Sequence, residues 1–364
     1  RRWRQSSDGH SVKRRLIIVG VLCVWGLACT SAPSPGSDRG RAATHYDKAV
    51  AFYAKGKYQD AVEEYQLAIQ DHAGYREAHF GLGVAFIKTG FYRGAILALK
   101  RAIDLQPAYP EAYLNLGLAQ AKLGREEKAG TSFRTALSQD ADLQAAWYPL
   151  AQVLASRGKT DSSIAAYRKS IVVRPYDAHL ALAEHYGKID DTEQLISHLR
   201  AATVADSSRY EPWVDLGGVY EANETYDLAA EAYEAAADLN GNLPGLLTKL
   251  AGVYALAGNQ ERAADLYERA VNEDPENATV LFNLAVTYDT LGRLDQAIEM
   301  YRSSIRLRPD FPDAHLNLAI DLMEKREFSE AIDAYESYLL HSEDGERRNQ
   351  VEKIVGQLKV ALGK

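Results

Sequence analysis

Trp213-Val-Asp-Leu216-Gly217-Gly-Val-Tyr220, followed by Ala229, Tyr233 and Ala236, is one copy of an arrangement that this chain repeats about every 34 residues. Counted in units from Ala42, Gly217 stands at the eighth place, which elsewhere holds Ala49, Gly83, Gly117, Ala151, Ala183, Ala251, Ala285 and Ala319. The twentieth place is nearly as restricted: Ala61, Ala95, Ala129, Ser163, Leu195, Ala229, Ala263, Ala297 and Ala331. Four residues further on comes a large side chain in every unit, among them Tyr65, Leu99, Phe133, Tyr233 and Tyr301. Small residues recurring where large ones are forbidden predict two helices per unit, packed too closely for a bulky side chain between them.

Local patterns agree. Leu247, Leu250, Ala251 and Tyr254 follow the three and four spacing of one helical face, and Ala263, Leu266, Tyr267 and Ala270 follow that of a second. Gly258-Asn259 supplies the turn between them, a place filled elsewhere by Gly56, Gly90, Gly124, Gly158 and Gly292. Pro107, Pro175, Pro275 and Pro309 fall just past second helices, where a missing N–H stops propagation. The chain reads as a stack of helical hairpins.

These residues resemble the tetratricopeptide repeat, whose pattern runs W-x2-L-G-x2-Y, then A-x3-F, then A and P. Phe80-Gly-Leu82-Gly83 with Ala95, Ala102 and Pro107 is a second close match, and Leu281-Phe-Asn-Leu284-Ala285 with Tyr288, Ala297, Tyr301 and Pro309 a third. The resemblance implies an all-α, right-handed α-solenoid of about nine hairpins over residues 42–345, closed by a capping helix over 346–364. Val351, Ile354, Val355, Leu358 and Val360-Ala361-Leu362 are expected to cover the last open face, next to Tyr338, which stands where an alanine normally admits another repeat. Unit five departs from the pattern: it starts two residues early, near 176–183, and carries Leu195 in the alanine place. A weakened or bent junction is expected there, because stacking interfaces carry much of a solenoid's stability.

At 46% hydrophobic and 25% charged residues, the composition is that of an ordinary globular protein. Charge is placed unevenly. Residues 1–41 carry a balance of +6 and the remainder −14, so the body repels phosphate backbones and nucleic acid is not an expected partner. H-E-x-x-H, C-x-x-C, Walker and G-x-S-x-G motifs do not occur, and the repeats leave no room for a separate catalytic domain. Gly81-Leu-Gly83 belongs to a helix contact rather than a nucleotide loop, and His179, His185 and His198 lack the spacing of metal ligands on one helical face. No enzymatic activity, cofactor, metal or small-molecule substrate is expected.

Lys13-Arg14-Arg15 precedes an apolar run from Leu16 to Ala28, which at about 1.5 Å per residue falls short of a ~30 Å hydrocarbon core. Residues 1–28 therefore read as a signal peptide, with 1–11 a mis-assigned upstream extension and Val12 a candidate true start. Gly26-Leu27-Ala28-Cys29 resembles the bacterial lipobox, although Gly26 stands where Leu is usual. That resemblance implies a lipidated Cys29 and a place in the bacterial cell envelope, on the periplasmic face or in the outer membrane. An ordinary secretory leader or an uncleaved anchor are the alternatives. The Ser, Pro and Gly-rich residues to Arg41 then form a tether over 29–41.

In tetratricopeptide arrays the first helix of each unit lines the concave face, and the resemblance implies that the second, fifth, ninth and twelfth places meet ligand. Val50, Phe80, Val84, Leu114 and Leu118 would make one apolar patch and Phe282, Val286, Leu316 and Ile320 another, with Gln152, Glu184, Gly218 and Gly252 between. Asn115, Asn283 and Asn317 recur one place after the fifth, where an amide can bond a peptide main chain in both senses. Gly218 and Gly252 each cost about 1 kcal/mol in a helix interior relative to Ala, which either close helix packing or a closely approaching bound backbone would explain. The carboxylate clamp of chaperone-binding relatives is missing. The expected function is a membrane-tethered scaffold binding segments or helices of other envelope proteins; the alternative is an adaptor subunit of a separately encoded exported enzyme, such as a glycosyltransferase or peptidase.

Overall fold

A computed structural model describes residues 37–241 and 243–363, and every regular element among them is helical. The chain divides into two compact units between Arg174 and Pro175, the point at which the repeat is short. In the first, α1 (Asp38–Ala54) pairs with α2 (Tyr58–Asp71), α3 (Arg76–Lys88) with α4 (Tyr92–Leu105), α5 (Pro110–Lys122) with α6 (Glu126–Gln139), and α7 (Trp147–Ser156) with α8 (Thr160–Ser170). In the second, α9 (Pro175–Lys188) pairs with α10 (Thr192–Ala205), α11 (Glu211–Ala222) with α12 (Tyr226–Leu239), α13 (Leu246–Leu256) with α14 (Gln260–Glu273), α15 (Ala278–Thr290) with α16 (Leu294–Leu307), and α17 (Pro312–Glu324) with α18 (Phe328–His341). A single helix, α19 (Gly345–Ala361), follows. Each unit is an α-solenoid of helical hairpins.

The restricted eighth place has a specific opponent. A Cβ added to Gly83 would lie 2.5 Å from Leu99 Cγ, and one added to Gly117 would lie 2.5 Å from Phe133 Cε1. The large residue at place 24 thus fills the space that the small residue at place 8 vacates, which is why the sequence couples the two. Leu99, Phe133, Tyr233 and Tyr301 are fully buried there. Burying a side chain of that size contributes roughly 1.5–3 kcal/mol, so the small residue is repaid in contact area. Within the second unit the buried side chains from Ala183 to Val355 form one continuous cluster.

Hairpins join along the stack by a repeated hydrogen bond. Tyr254 Oη donates to Glu234 at 2.5 Å and Tyr288 Oη to Glu268 at 2.6 Å, each linking the second helix of one hairpin to the first helix of the next. The turn at place 15 has positive φ in all nine hairpins: six use glycine, and Asp190, Glu224 and Arg326 adopt 58°, 56° and 63°. Those three turns carry no glycine signal in the sequence, yet the flanking helices impose the same backbone.

Three expectations change at the ends and at the boundary. α1 begins at Asp38, capped by Ser37 Oγ accepting from Gly40 N–H at 3.1 Å, so residues 38–41 are helix rather than tether. Pro175 opens α9 instead of merely following α8, a position where the absent N–H has no intrahelical partner to lose. At the other end Val351 and Val355 are buried, with Ile354 and Leu358 partly so, whereas Val360, Ala361 and Leu362 are exposed because the helix has run past the hairpin it covers. Residues 1–36, with Cys29 and the leader, lie outside the described residues. No helix among the described residues is long and apolar enough to cross a membrane.

Candidate partner-binding faces on the first helices

The fifth, sixth and ninth places of α1, α3 and α5 carry the first patch. Val50, Phe80, Val84 and Leu118 are half-buried and so retain surface for a ligand. Phe80 lies 4.9 Å, centroid to centroid, from Tyr109, which fixes one face of its ring within the protein. Leu114 is only 3% exposed and is a packing residue, not a contact for a partner. Phe80, Phe282 and Leu316 occupy the same fifth place and stay half-buried, so the place alone does not decide exposure.

In the second unit, Phe282, Val286 and Leu316 are half-buried and Ile320 is 48% exposed. Phe282 sits between Tyr301 at 5.8 Å and Phe311 at 4.7 Å. Among the ninth places, Gln152 and Glu184 are exposed, with Glu184 paired to Lys188 at 2.6 Å.

The asparagines are not an open ladder. Asn115 Nδ2 donates to Glu111 O of its own helix at 2.8 Å. Asn317 Nδ2 donates to Tyr301 Oη at 3.3 Å, and Asn283 is hydrogen-bonded to the Tyr267 hydroxyl. Burial pushes both phenols up, and these amides act in the opposite direction. The difference among the three has a cause in the sequence: the place-24 residue of the preceding unit is tyrosine for Asn283 and Asn317 but Leu99 for Asn115, which leaves that amide only its own helix. The carbonyl oxygens, with the second N–H of the Asn115 and Asn317 amides, are what these side chains offer a bound main chain.

Gly218 and Gly252 behave unlike the eighth-place glycines. A Cβ on Gly218 would meet only Tyr233 Oη, at 3.8 Å, and one on Gly252 only Tyr267 Oη, at 3.4 Å. Both are ordinary contact distances, so helix packing does not explain either glycine. Both remain half-buried on the first-helix face.

Sequence reading missed a group of carboxylates at the end of this face. Asp321, at the tenth place of the last hairpin, is 1% exposed, and its Oδ2 has no hydrogen-bond partner. Burial, then Asp289 and Glu324, push its carboxyl up to about 7. Burial and Glu324 raise Asp289 in the same direction. The signal was present, since Ala85, Ala119, Val153 and Val253 occupy that place elsewhere and are all buried. His79 and His315, also unremarked, bond the carbonyls of Ala73 at 3.0 Å and Pro309 at 2.8 Å and fasten first helices to the preceding loops.

Family models described as TPR repeat match residues 49–90, 85–124 and 288–320, and others described as tetratricopeptide repeat match 110–143, 214–278 and 255–303. Among solved structures the chain is similar to MamA from Desulfovibrio magneticus RS-1, at 17% identity over 47% of this chain and 97% of that one, with a TM-score of 0.44. It is also similar to YrrB, described as a TPR protein with an unusual peptide-binding site, at 18% identity over 62% and 99% with a TM-score of 0.38. Yeast Tom70 aligns at 15% identity over 88% and 96%, with a TM-score of 0.33. No curated protein matches the chain.

Proposed function

The chain is a tetratricopeptide-repeat protein, and from that premise we propose that it is a membrane-tethered scaffold that binds segments of other envelope proteins along the first helices of its hairpins. One observation carries the reading. Gly218 and Gly252 keep a half-buried helical surface bare where no neighbouring side chain requires it. Each lowers helix stability by about 1 kcal/mol relative to Ala, and a bound main chain lying against them gives that loss a use. Val286, Leu316 and Ile320 in the second unit, and Val50, Val84 and Leu118 in the first, then serve as apolar anchors for side chains of bound segments. The carbonyl oxygens of Asn115, Asn283 and Asn317 accept from main-chain N–H groups.

The tether rests on Ala28-Cys29 at the end of the apolar run, with Cys29 bearing the lipid. A Cys29→Ser precursor of unchanged mobility would remove that part of the proposal and leave the scaffold intact. For the binding face, the full chain is panned against a displayed library of random 12-residue peptides. Enriched peptides should lose their binding to a Gly218→Leu, Gly252→Leu variant of unchanged helical content. Enrichment of no peptide, or equal binding by the variant, would discard the groove.

A further inference from the structure

The carboxylates at the end of the second unit are not balanced by the protein itself. Asp289 lies on α15, and Asp321 and Glu324 on α17, and both neighbours act electrostatically on Asp321. None of the three forms an ion pair among the described residues, although carboxylates nearby do: Glu261 pairs with Arg293, Glu330 with Arg302 and Asp295 with Lys325. Lys325, adjacent to Glu324 in sequence, is turned to Asp295 and Glu327 instead. A buried carboxylate oxygen with no partner is costly, and this one stands at a place where six of the other eight repeats put alanine or valine, His185 and Thr287 being the exceptions. Such a residue contributes nothing to packing that Val253 does not contribute better. Two aliphatic ninth-place residues share the helical faces of these carboxylates, half-buried Val286 three residues before Asp289 on α15 and exposed Ile320 four residues before Glu324 on α17.

We propose that this corner receives a lysine or arginine side chain of the bound segment, its cation set against Asp289 and Glu324 beside Asp321, with its methylene stem or an adjacent aliphatic residue on Val286 and Ile320. The inference rests on the groove reading above and adds the chemistry of the segment. Negative charge on Asp289 and Glu324, joined by Asp321 as it loses its proton, favours a cation, and the aliphatic flank favours one carried on a hydrocarbon stem. No three His, Cys, Asp or Glu side chains among the described residues are placed to hold a metal ion, which leaves an ammonium or guanidinium as the fitting cation. Asp321, buried and not itself reachable from solvent, adds charge to the site when a bound cation draws off its proton.

The peptides enriched on the full chain test this directly. Lysine and arginine should exceed their share of the library, next to an aliphatic residue. Binding of a lysine peptide should weaken at least tenfold in an Asp289→Asn, Asp321→Asn, Glu324→Gln variant. Replacing that lysine by norleucine should weaken binding to the natural chain and leave binding to the variant unchanged, which isolates the pairwise coupling. Asn and Gln keep the shapes of the residues they replace, and the variant's melting temperature reports whether it folds. Enriched peptides without basic residues, or a cycle with no coupling, would overturn the proposal while the groove stands. Enrichment of no peptide at all would remove both.

Discussion

Gly217 and Tyr233 compete for one space: a Cβ on the glycine would lie 2.4 Å from the tyrosine Cε1. The ring cannot easily give way, because Tyr233 is fully buried and its hydroxyl donates to Glu221 at 2.8 Å. Gly217→Ala should therefore destabilise the second unit by about 1–3 kcal/mol, the usual cost of overpacking. Gly218→Ala, one residue along, meets only Tyr233 Oη at an ordinary 3.8 Å and should stabilise by up to about 1 kcal/mol. Urea unfolding followed by circular dichroism separates the two. Equal effects at both positions would show that the close contact does not govern the eighth place.

Asp321 makes stability depend on pH. Its folded carboxyl titrates at about 7, against an ordinary value of 3.8. Between these values the folded chain holds a proton that the unfolded chain has released, so stability falls as pH rises and levels off above the folded value. Between pH 5 and 7 the loss attributable to this group is about 2–3 kcal/mol. Asp321→Asn should remove that slope and raise stability most at pH 8. Parallel pH profiles for the two chains would contradict it.

His179 Nδ1 and His198 Nδ1 stand 2.9 Å apart, with Tyr186 stacked on His198 at 5.4 Å. One ring must donate and the other accept, an arrangement lost when both are protonated. Burial pushes His179 below the ordinary histidine value, so its contribution is present above about pH 6.5 and is lost as pH falls through the lower folded value. Acid should loosen the α9–α10 hairpin, seen as reduced amide protection there after correction for intrinsic exchange. His179→Leu should flatten that dependence.

Glu224 and Arg326 hold left-handed backbone at φ 56° and 63° without being glycine. Both are exposed, so no contact offsets the strain. Glu224→Gly and Arg326→Gly should each stabilise by up to about 1 kcal/mol. Asp190→Gly should gain less, since aspartate tolerates this region better. Thermal unfolding midpoints rank the three, and a decrease at Glu224 or Arg326 would show that the lost entropy of the unfolded glycine dominates.

Much of this molecule is local, and what is local was readable. The spacing of Leu247, Leu250, Ala251 and Tyr254 is enough to make a helix with one apolar face, and Gly258 is enough to turn the chain. Because each hairpin repeats its neighbours, a signal weak in one unit was reinforced by the others. That redundancy extended to α9 and α10, whose hairpin forms despite Leu195 in the alanine place. The face that a partner would meet was legible only as a set of places. Val84 and Ile320 keep their surface, while Leu114, assigned to the same face, is buried against the adjoining helices.

The sequence by itself determined the number of hairpins, the places where helices touch and the turns between most of them, since those depend on residues within one repeat of each other. Only the tertiary structure decided that Asn283 and Asn317 are engaged by tyrosines of the preceding hairpin, that Gly217 is required by packing and Gly218 is not, and that Asp321 is buried beside two other carboxylates. Each of those outcomes depends on what a neighbouring repeat places against the residue, and periodicity gives a residue's place without giving the side chain that meets it.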